Sequence, residues 1–485
     1  MKFYQSAVVL LLSAITGATA FVPRSALSNT QNVAAVSSFT STNPAFVKAS
    51  SLGSKSTEEE QKMNASDEAN TTLVVGGGLA GLATALALRN IAGLSEVRIV
   101  EASTDESFNN IQEGAGVQLG PNGLRALRFI GGEALLSKIM ENGVELKGTV
   151  IVISSKMDPM VIPDTAEADT GLSQVFIPWG VMRSLLAEQL PSDSISTGVG
   201  GDITGYQPVE STIQPMITPE KPFLPQSFDL VVGADGAAST FRHLIQNDAT
   251  FLPPNKAQAA RRSDLKDGGR MNIKAVVPKK MDEASFKPGH SYAHFAAGGG
   301  VACFAGPASA DSTYWAISIA DEKKDEETED MFEFLSDIDR GDNNAVKQTL
   351  LSKLKGLELE ECQFVIDLIE STEAECIYLQ RSIEAESIGP SLVSKDNNIV
   401  LVGDAAHCMS NSYGQSSNFA FEDAASLAVC IRDGKDLGSA LETFSKSRVA
   451  RCIEMQTRSA ERAAKAMKGE QVEDVSKWIF EWDIQ

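Results

Sequence analysis

Three glycines and one glutamate mark the first place where chemistry is legible. Residues 72–101 read TLVVGGGLAGLATALALRNIAGLSEVRIVE, in which Gly76, Gly78 and Gly81 keep a G-x-G-x-x-G spacing. A short apolar run, Thr72–Val75, precedes the glycines, and Leu79–Leu88, rich in Ala and Leu, follows them with helical character. Val97–Val100 reads as a second strand that ends at Glu101. Gly76 allows a sharp turn, Gly78 leaves room for a pyrophosphate against the backbone, and Gly81 lets helix and strand pack closely. The helix start would offer free N–H groups and a partial positive charge to phosphates. Glu101 stands 25 residues beyond Gly76, close to where a carboxylate meets an adenosine ribose 2′-OH. That carboxylate favours FAD or NAD over NADP. The competing reading is a tight βα turn with no ligand.

Two later segments repeat the strand-then-turn pattern. Phe228–Arg242 reads FDLVVGADGAASTFR, where the apolar run Asp229–Gly233 is broken by Gly236 and followed by Ser239 and Arg242. Asn398–Ala424 reads NIVLVGDAAHCMSNSYGQSSNFAFEDA, where the strand Ile399–Val402 meets a Gly-Asp turn and then a helix. In an open α/β sheet the carboxyl ends of such strands gather in one crevice. Asp235 and Asp404 also suit helix N-caps, their simplest structural use.

The opening glycine motif, Asp235-Gly236 and Gly403-Asp404 in this order resemble the class A flavoprotein monooxygenases. That family includes 4-hydroxybenzoate hydroxylase, kynurenine 3-monooxygenase and zeaxanthin epoxidase, and the resemblance spans residues 70–465. It implies an α/β fold: a Rossmann-type FAD-binding domain with an interleaved mixed-sheet substrate domain. It assigns Asp404 to the ribityl chain of FAD, with Gly403 and Ala405 permitting close approach. It places Asp235 and Gly236 in a motif used for both FAD and NADPH, and Arg183 against the cofactor region. Gly116, Gln118 and Asn122 would flank the flavin ring, and Gly414 and Gln415 would run along the isoalloxazine. Arg381 matches an arginine before the last cofactor strand, and Arg448 and Arg451 resemble those of the closing helix. Two departures stand out: Asn411 where the family carries proline, and Ser416 where it carries glycine. The first frees the loop and the second restricts it.

The resemblance implies FAD as cofactor and NAD(P)H as co-substrate. The activity would be hydroxylation or epoxidation of a small apolar or aromatic substrate through a flavin C4a-hydroperoxide. Carotenoid, quinone or tetrapyrrole-like compounds are the candidate substrates. No catalytic acid or base is assigned, and His407 is expected to be a packed structural histidine. A flavin-dependent reductase or dehydrogenase, and a non-catalytic FAD-binding assembly protein of a plastid complex, remain as alternatives.

The rest of the chain bounds these readings. Its 485 residues carry a formal charge of −22, which repels nucleic-acid phosphates and anionic lipid headgroups. None of the six cysteines forms a CxxC pair, so neither a disulfide framework nor a cysteine metal site is expected. His290 and His294 fall in a strand-like run, and no metal is expected there. No G-x-S-x-G is present.

Residues 1–20 read as a signal peptide and 21–70 as a transit-like segment with a linker. The junction Ala-Thr-Ala-Phe-Val-Pro at 18–23 is similar to that of complex-plastid presequences of diatoms and related algae. Plastid delivery through the secretory route is the expectation, with plain secretion as the alternative. The FAD-binding parts are expected at 71–267 and 386–470, the substrate domain at 268–385 and an aromatic tail at 471–485. Ile195–Gln226, rich in Gly, Pro, Ser and Thr, is expected to distort the usual strand pair. Within the substrate domain, strands are expected at Met271–Val277, Ser291–Ala297, Val301–Phe304 and Thr313–Ile319, and helices at Met331–Ile338 and Ala345–Lys355. Phe295, Phe304, Tyr314 and Trp315 are its candidate pocket liners. The tail residues Trp478, Ile479, Phe480 and Trp482 would cover a pocket, meet a partner or graze a membrane.

Overall fold

The computed structural model describes residues 70–152, 159–218, 221–224, 226–253, 263–282, 286–295, 301–320, 342–356, 363–396, 398–409, 413–467 and 475–484. The expected signal peptide, nearly all of the transit-like segment, the helix at Met331–Ile338 and Asn411 lie outside the described residues.

The apolar runs flanking the three turn motifs become neighbouring strands. A five-stranded sheet has the order Ile399–Leu401, Leu230–Gly233, Thr71–Val75, Glu96–Val100, Ile195–Ser196. All four pairings are parallel. From its central strand the chain builds outward on one side, then returns to build on the other. Such a reversal opens a crevice at the carboxyl ends of the strands. The central strands are buried on both faces, which explains why they read as unbroken apolar runs rather than alternating ones.

Helices cover this sheet. Leu79–Asn90 is buried from Leu79 through Leu88 save Ala80. Its small side chains let it lie close to the Ser416–Asp433 helix. Pro121–Asn142 begins with proline, which suits a first helical turn, and is broken at Gly132, whose φ is +72°. Ser416–Asp433 also packs against Pro121–Asn142 and Leu437–Met467.

A second, seven-stranded sheet has the order Tyr378–Ala385, Leu265–Val277, Thr313–Ala320, Val301–Pro307, His290–Phe295, Gly148–Val152, Met160–Pro163. Its pairings are antiparallel save one, between His290–Phe295 and Gly148–Val152. Two of its strands thus come from residues 148–163, well before position 268. The seven-stranded sheet therefore takes strands from 148–163 as well as from 265–385, and its segments interleave with those of the five-stranded sheet. Helices Asn343–Gly356 and Gln363–Glu370 cover its outer face.

The Gly- and Pro-rich stretch forms regular structure. Gly205–Val209 and Thr212–Thr218 make an antiparallel hairpin, extended by Lys221–Pro222. A three-stranded antiparallel sheet, Gly116–Leu119, Val175–Pro178 and Val144–Glu145, bridges the two layers. Among the described residues no helix is long and apolar enough to cross a membrane.

Candidate functional site

The parallel register sets the turn motifs side by side. Val75 lies opposite Gly233 and Val100, and Gly233 lies opposite Leu401. Gly76, Glu101, Ala234 and Val402 consequently leave the sheet together at its carboxyl edge. Gly76 N–H donates to Val100 O, Ala234 N–H to Val75 O and Val402 N–H to Gly233 O, at 2.8, 2.9 and 3.1 Å.

The three opening glycines do different work. Gly76 has φ +113°, and a Cβ there would stand 2.2 Å from Ala234 O. A Cβ on Gly81 would meet Gly76 O at 1.9 Å. These two glycines are demanded by the protein's own packing. Gly78 is not: a Cβ there would meet nothing within 4 Å, and its φ of −74° suits any residue. It is the N-cap of Leu79–Asn90 yet provides no side-chain cap. The first helical N–H groups therefore have no side-chain cap, and the space where a side chain of Gly78 would stand is empty.

Glu101 is 9% exposed, and its two carboxylate oxygens accept from Gly77 N–H at 2.6 Å and Ser103 N–H at 2.8 Å. It braces the glycine turn at the end of the second strand.

The Gly403-Asp404 turn faces the same space. Gly403 has φ +59°, and a Cβ on it would stand 2.6 Å from Ala80 Cβ. The turn thus touches the first turn of the Leu79–Asn90 helix. Asp404 is buried, and Ser416 Oγ donates to its Oδ1 at 2.7 Å. Ser416, the departure from the family pattern, therefore holds the aspartate to which that pattern gives the ribityl chain.

Asp235 has a local duty. Its oxygens accept from Ser239 Oγ at 2.5 Å and Thr240 N–H at 2.7 Å. Gly236 supplies the left-handed residue of that turn, with φ +78°. The carboxylate fixes the turn and the start of Thr240–Gln246, whose N-cap is Ser239 rather than Asp235. Arg242 on this helix joins two motifs: Nε pairs with Asp264 at 2.6 Å, and Nη1 donates to the carbonyls of Asp404 and Ala405 at 3.1 and 3.2 Å.

Arg183, on helix Trp179–Ala187, is buried and stacks over Trp179 and Phe108. Its Nη2 pairs with Glu113 at 3.0 Å and donates to Ser107 O and Asn110 O. It organises the loop before Gly116, while its Nε is buried without a hydrogen-bond partner among the described residues. Arg381 pairs with Asp267 at 2.5 Å on the seven-stranded sheet.

One asparagine ties the remaining predicted residues together. Asn418 Nδ2 donates to Gln118 O at 3.0 Å and Gly414 O at 2.9 Å, while its Oδ1 accepts from Gly120 N–H at 2.9 Å. Gln118 Nε2 donates to Gln174 at 2.7 Å. Gln415, the N-cap of Ser416–Asp433, accepts from Asn122 at 2.9 Å. The Gly116–Gly120 and Gly414–Gln415 segments are therefore one connected wall.

Behind that wall lies a largely buried charge network. Glu422 binds Asn122, Arg448 and Arg451. Asp423 takes Arg448 Nε at 2.6 Å on one oxygen, and Gly403 N–H at 2.8 Å and His407 Nε2 at 2.7 Å on the other. Burial alone would raise the Asp423 pKa, but the charges of His407 and Arg448 hold it below the usual carboxylate range. Burial would likewise discharge His407, yet Cys452 and Asp423 beside it keep its pKa well above the ordinary value. His407 is thus a structural ion-pair partner behind the Gly403 turn. His407, Asp423 and Cys452 bring one ligand atom each within 4.8 Å of one another, with Arg448 already occupying Asp423.

The aromatic tail turns inward. Ile479 is buried, Trp478 lies under Arg451 and Arg458, and Ile479 O and Trp482 O accept from Arg451 and Arg125. Phe480 reaches the Gly120 turn.

Sequence reasoning missed Asn418, Glu113, the Glu422–Asp423 pair and Lys274. Lys274 is 5% exposed on the seven-stranded sheet. Burial pushes its pKa down to about 8, opposed by Asp404. An ionisable residue within the mostly apolar run Met271–Val277 was the available signal. Of the expected liners, Phe304 and Tyr314 join the inner cluster with Phe176. Trp315 is instead in the outer cluster beneath the helices, because alternate strand residues point to opposite faces. The Phe295 side chain lies outside the described residues.

A bare helix start, a carboxylate-bearing turn beside it and a roofing mixed sheet define a Rossmann-type dinucleotide-binding architecture. No family model matches the chain. Aurachin C monooxygenase/isomerase of Stigmatella aurantiaca is 25% identical over 383 residues, 79% of this chain and 85% of that protein. FAD-dependent urate hydroxylase of Mycolicibacterium vanbaalenii is 23% identical over 411 residues, 80% of this chain and 87% of that protein. The crystal structure of Klebsiella pneumoniae HpxO complexed with FAD and uric acid matches with TM-score 0.65 at 18% identity, covering 87% of this chain and 97% of that one. The chain has the Rossmann-type FAD-binding fold with an interleaved mixed sheet. It is distantly related to the class A FAD-dependent monooxygenases.

Proposed function

We propose that the chain is an FAD-dependent monooxygenase that uses NAD(P)H and O₂ to oxygenate a small organic substrate. The observation that carries this reading is the space at Gly78. The N–H groups of the Leu79–Asn90 helix start are uncapped there, and the Asp404 turn stands against the same helix turn. A diphosphate fits that helix start, and a polyol chain fits a buried carboxylate next to it. Glu101, at the end of the second strand, would receive the adenosine ribose. Bound FAD would supply two-electron chemistry with a nicotinamide donor and activation of O₂.

The protein's own part is positional. Asn418 fixes the two loop segments that would flank the flavin ring. The inner face of the seven-stranded sheet, with Phe304 and Tyr314, would roof the substrate and exclude water.

The test is direct. Purified protein should be yellow, and its NAD(P)H oxidation should consume O₂ and yield an oxygenated product. Colourless protein after incubation with FAD sinks the reading. Turnover with an artificial acceptor, but none with O₂, overturns the oxygenase part alone.

Ser416 makes a sharper test of the Asp404 turn. Ser416→Ala removes a buried hydrogen bond to a charged group, worth about 1.5–3 kcal/mol. FAD affinity, measured by fluorescence quenching, should fall at least about tenfold. Unchanged affinity would mean that Asp404 does not need this hydroxyl to receive the cofactor.

A further inference from the structure

The proposed reaction gives the aromatic tail no task, yet the fold holds it firmly. Trp478, Phe480, Trp482 and Ile484 pack against the core of the cofactor part, while Lys477, Glu481 and Asp483 stay exposed. Two arginines from different helices grip the tail on either side of Phe480. Arg451 Nη2 donates to Ile479 O at 3.1 Å, and its guanidinium stacks on Trp478, as does that of Arg458. Arg125, on Pro121–Asn142, donates to Trp482 O at 2.8 Å and feels the charge of Asp483.

Between these anchors, Phe480 stands where Gly120 has no side chain. A Cβ on Gly120 would lie 3.0 Å from Phe480 Cε1, 2.9 Å from Asn122 Oδ1 and 3.6 Å from Gln415 Nε2. The ring therefore covers the place where the two segments of the wall meet. Asn122 and Gln415 are buried, and the hydrogen bond between them joins those segments. Asn122 Oδ1 is buried too and has no hydrogen-bond partner among the described residues. Water admitted to this junction would bind that acceptor and compete with the bond beside it. A second connection runs behind the ring. Arg451, which grips the tail, also pairs with Glu422 at 2.7 Å, and Glu422 accepts from Asn122 at 2.7 Å.

We propose that the tail is an intramolecular seal in which Phe480 is a positioning residue: its ring keeps water from the Gly120–Asn122–Gln415 junction and so fixes the wall that would flank the flavin ring. This rests on the flavoprotein reading and adds a residue to it. The helix start at Gly78 and the Asp404 turn are held by other residues. Losing the Phe480 ring should therefore loosen the surroundings of the isoalloxazine and spare the phosphate and ribityl contacts.

The experiment uses the full chain, with and without FAD. The Gly120 N–H donates to Asn418 Oδ1, so its exchange with deuterium reports opening of the wall. The visible circular dichroism of bound FAD reports the surroundings of its ring. Phe480→Ala should speed Gly120 exchange at least about tenfold and alter the flavin signal. FAD affinity should stay within about threefold of wild type. The amide of Ile273, in the core beneath the covering helices of the seven-stranded sheet, should keep its rate. Phe480→Leu should restore most of both signals, because it returns apolar cover to the junction. Arg125→Met releases Trp482 O while leaving the ring, and should move Gly120 exchange the same way by a smaller factor.

Unchanged Gly120 exchange or an unchanged flavin signal in Phe480→Ala overturns the inference. So does equal acceleration at Ile273, which would mark a general loss of stability. Loss of FAD itself overturns it as well, since the tail would then retain the cofactor rather than place its ring. A yellow wild-type protein whose wall ignores Phe480 leaves the flavin reading standing. A colourless wild-type protein removes both.

Discussion

Gly78→Asp should give a well-folded protein that no longer retains FAD. The backbone at Gly78 is extended, with φ −74° and ψ −178°, and a new Cβ meets nothing within 4 Å. Aspartate is among the best N-cap residues and glycine trails it slightly. Its carboxylate would satisfy N–H groups at the start of Leu79–Asn90 that have no side-chain cap now. Stability in urea should therefore hold or rise by a few tenths of a kcal/mol. The same carboxylate would stand where the diphosphate is proposed to lie. Like charges forced together cost several kcal/mol, and about 4 kcal/mol is roughly a thousandfold in affinity. Isothermal titration with FAD checks one half and urea unfolding the other. Retained flavin would place the cofactor elsewhere. The companion substitution Gly81→Ala differs in kind, because its Cβ would meet Gly76 O at 1.9 Å. It threatens the fold itself and cannot separate the two effects.

Arg448→Met should cost about 3–5 kcal/mol of stability, the scale for stranding a buried charge. Arg448 is 2% exposed, and Glu422 and Asp423 are wholly buried. Two of its three guanidinium nitrogens engage them at 2.7 and 2.6 Å. Arg451 would still pair with Glu422, and His407 with Asp423, but each carboxylate loses a short charged partner. Arg448→Lys should recover only part of the loss, because one ammonium cannot reproduce a fork aimed at two carboxylates. Chemical denaturation measures both variants. The loss should also reach the cofactor, since Asp423 holds Gly403 N–H at the Asp404 turn. A loss below about 1 kcal/mol would show that the network relaxes around the gap, and would remove Arg448 from the account of that turn.

These two sites differ in how visible they were beforehand. Gly78 was legible because the chemistry of a glycine turn is local: strand, three glycines and helix lie within twenty residues of sequence. The same holds for Glu101, Asp404 and the strand runs at 230–233 and 399–401. Ser416 was legible only as a departure. Its partner, Asp404, lies 12 residues earlier across a turn, and the bond between them restores a duty to a residue that looked like a loss. Asp235, which the resemblance placed in a cofactor motif, also holds together the turn that carries it.

Composition and local pattern by themselves determined the turn motifs, the parallel strands that carry them and the helix behind the glycines. Each of those is set by interactions between residues near in sequence, where periodicity and backbone freedom decide. Only the tertiary structure decided that strands from 148–163 join the seven-stranded sheet, that Asn418 ties Gly120 to Gly414, that Arg242 staples one turn to another, and that Lys274 is buried opposite Tyr378. These are pairings across many tens to hundreds of positions, and a side chain's partner at such range depends on how sheets and helices stack. A sequence names the charges that can be buried; the packed fold determines which opposite charge or backbone group each one meets.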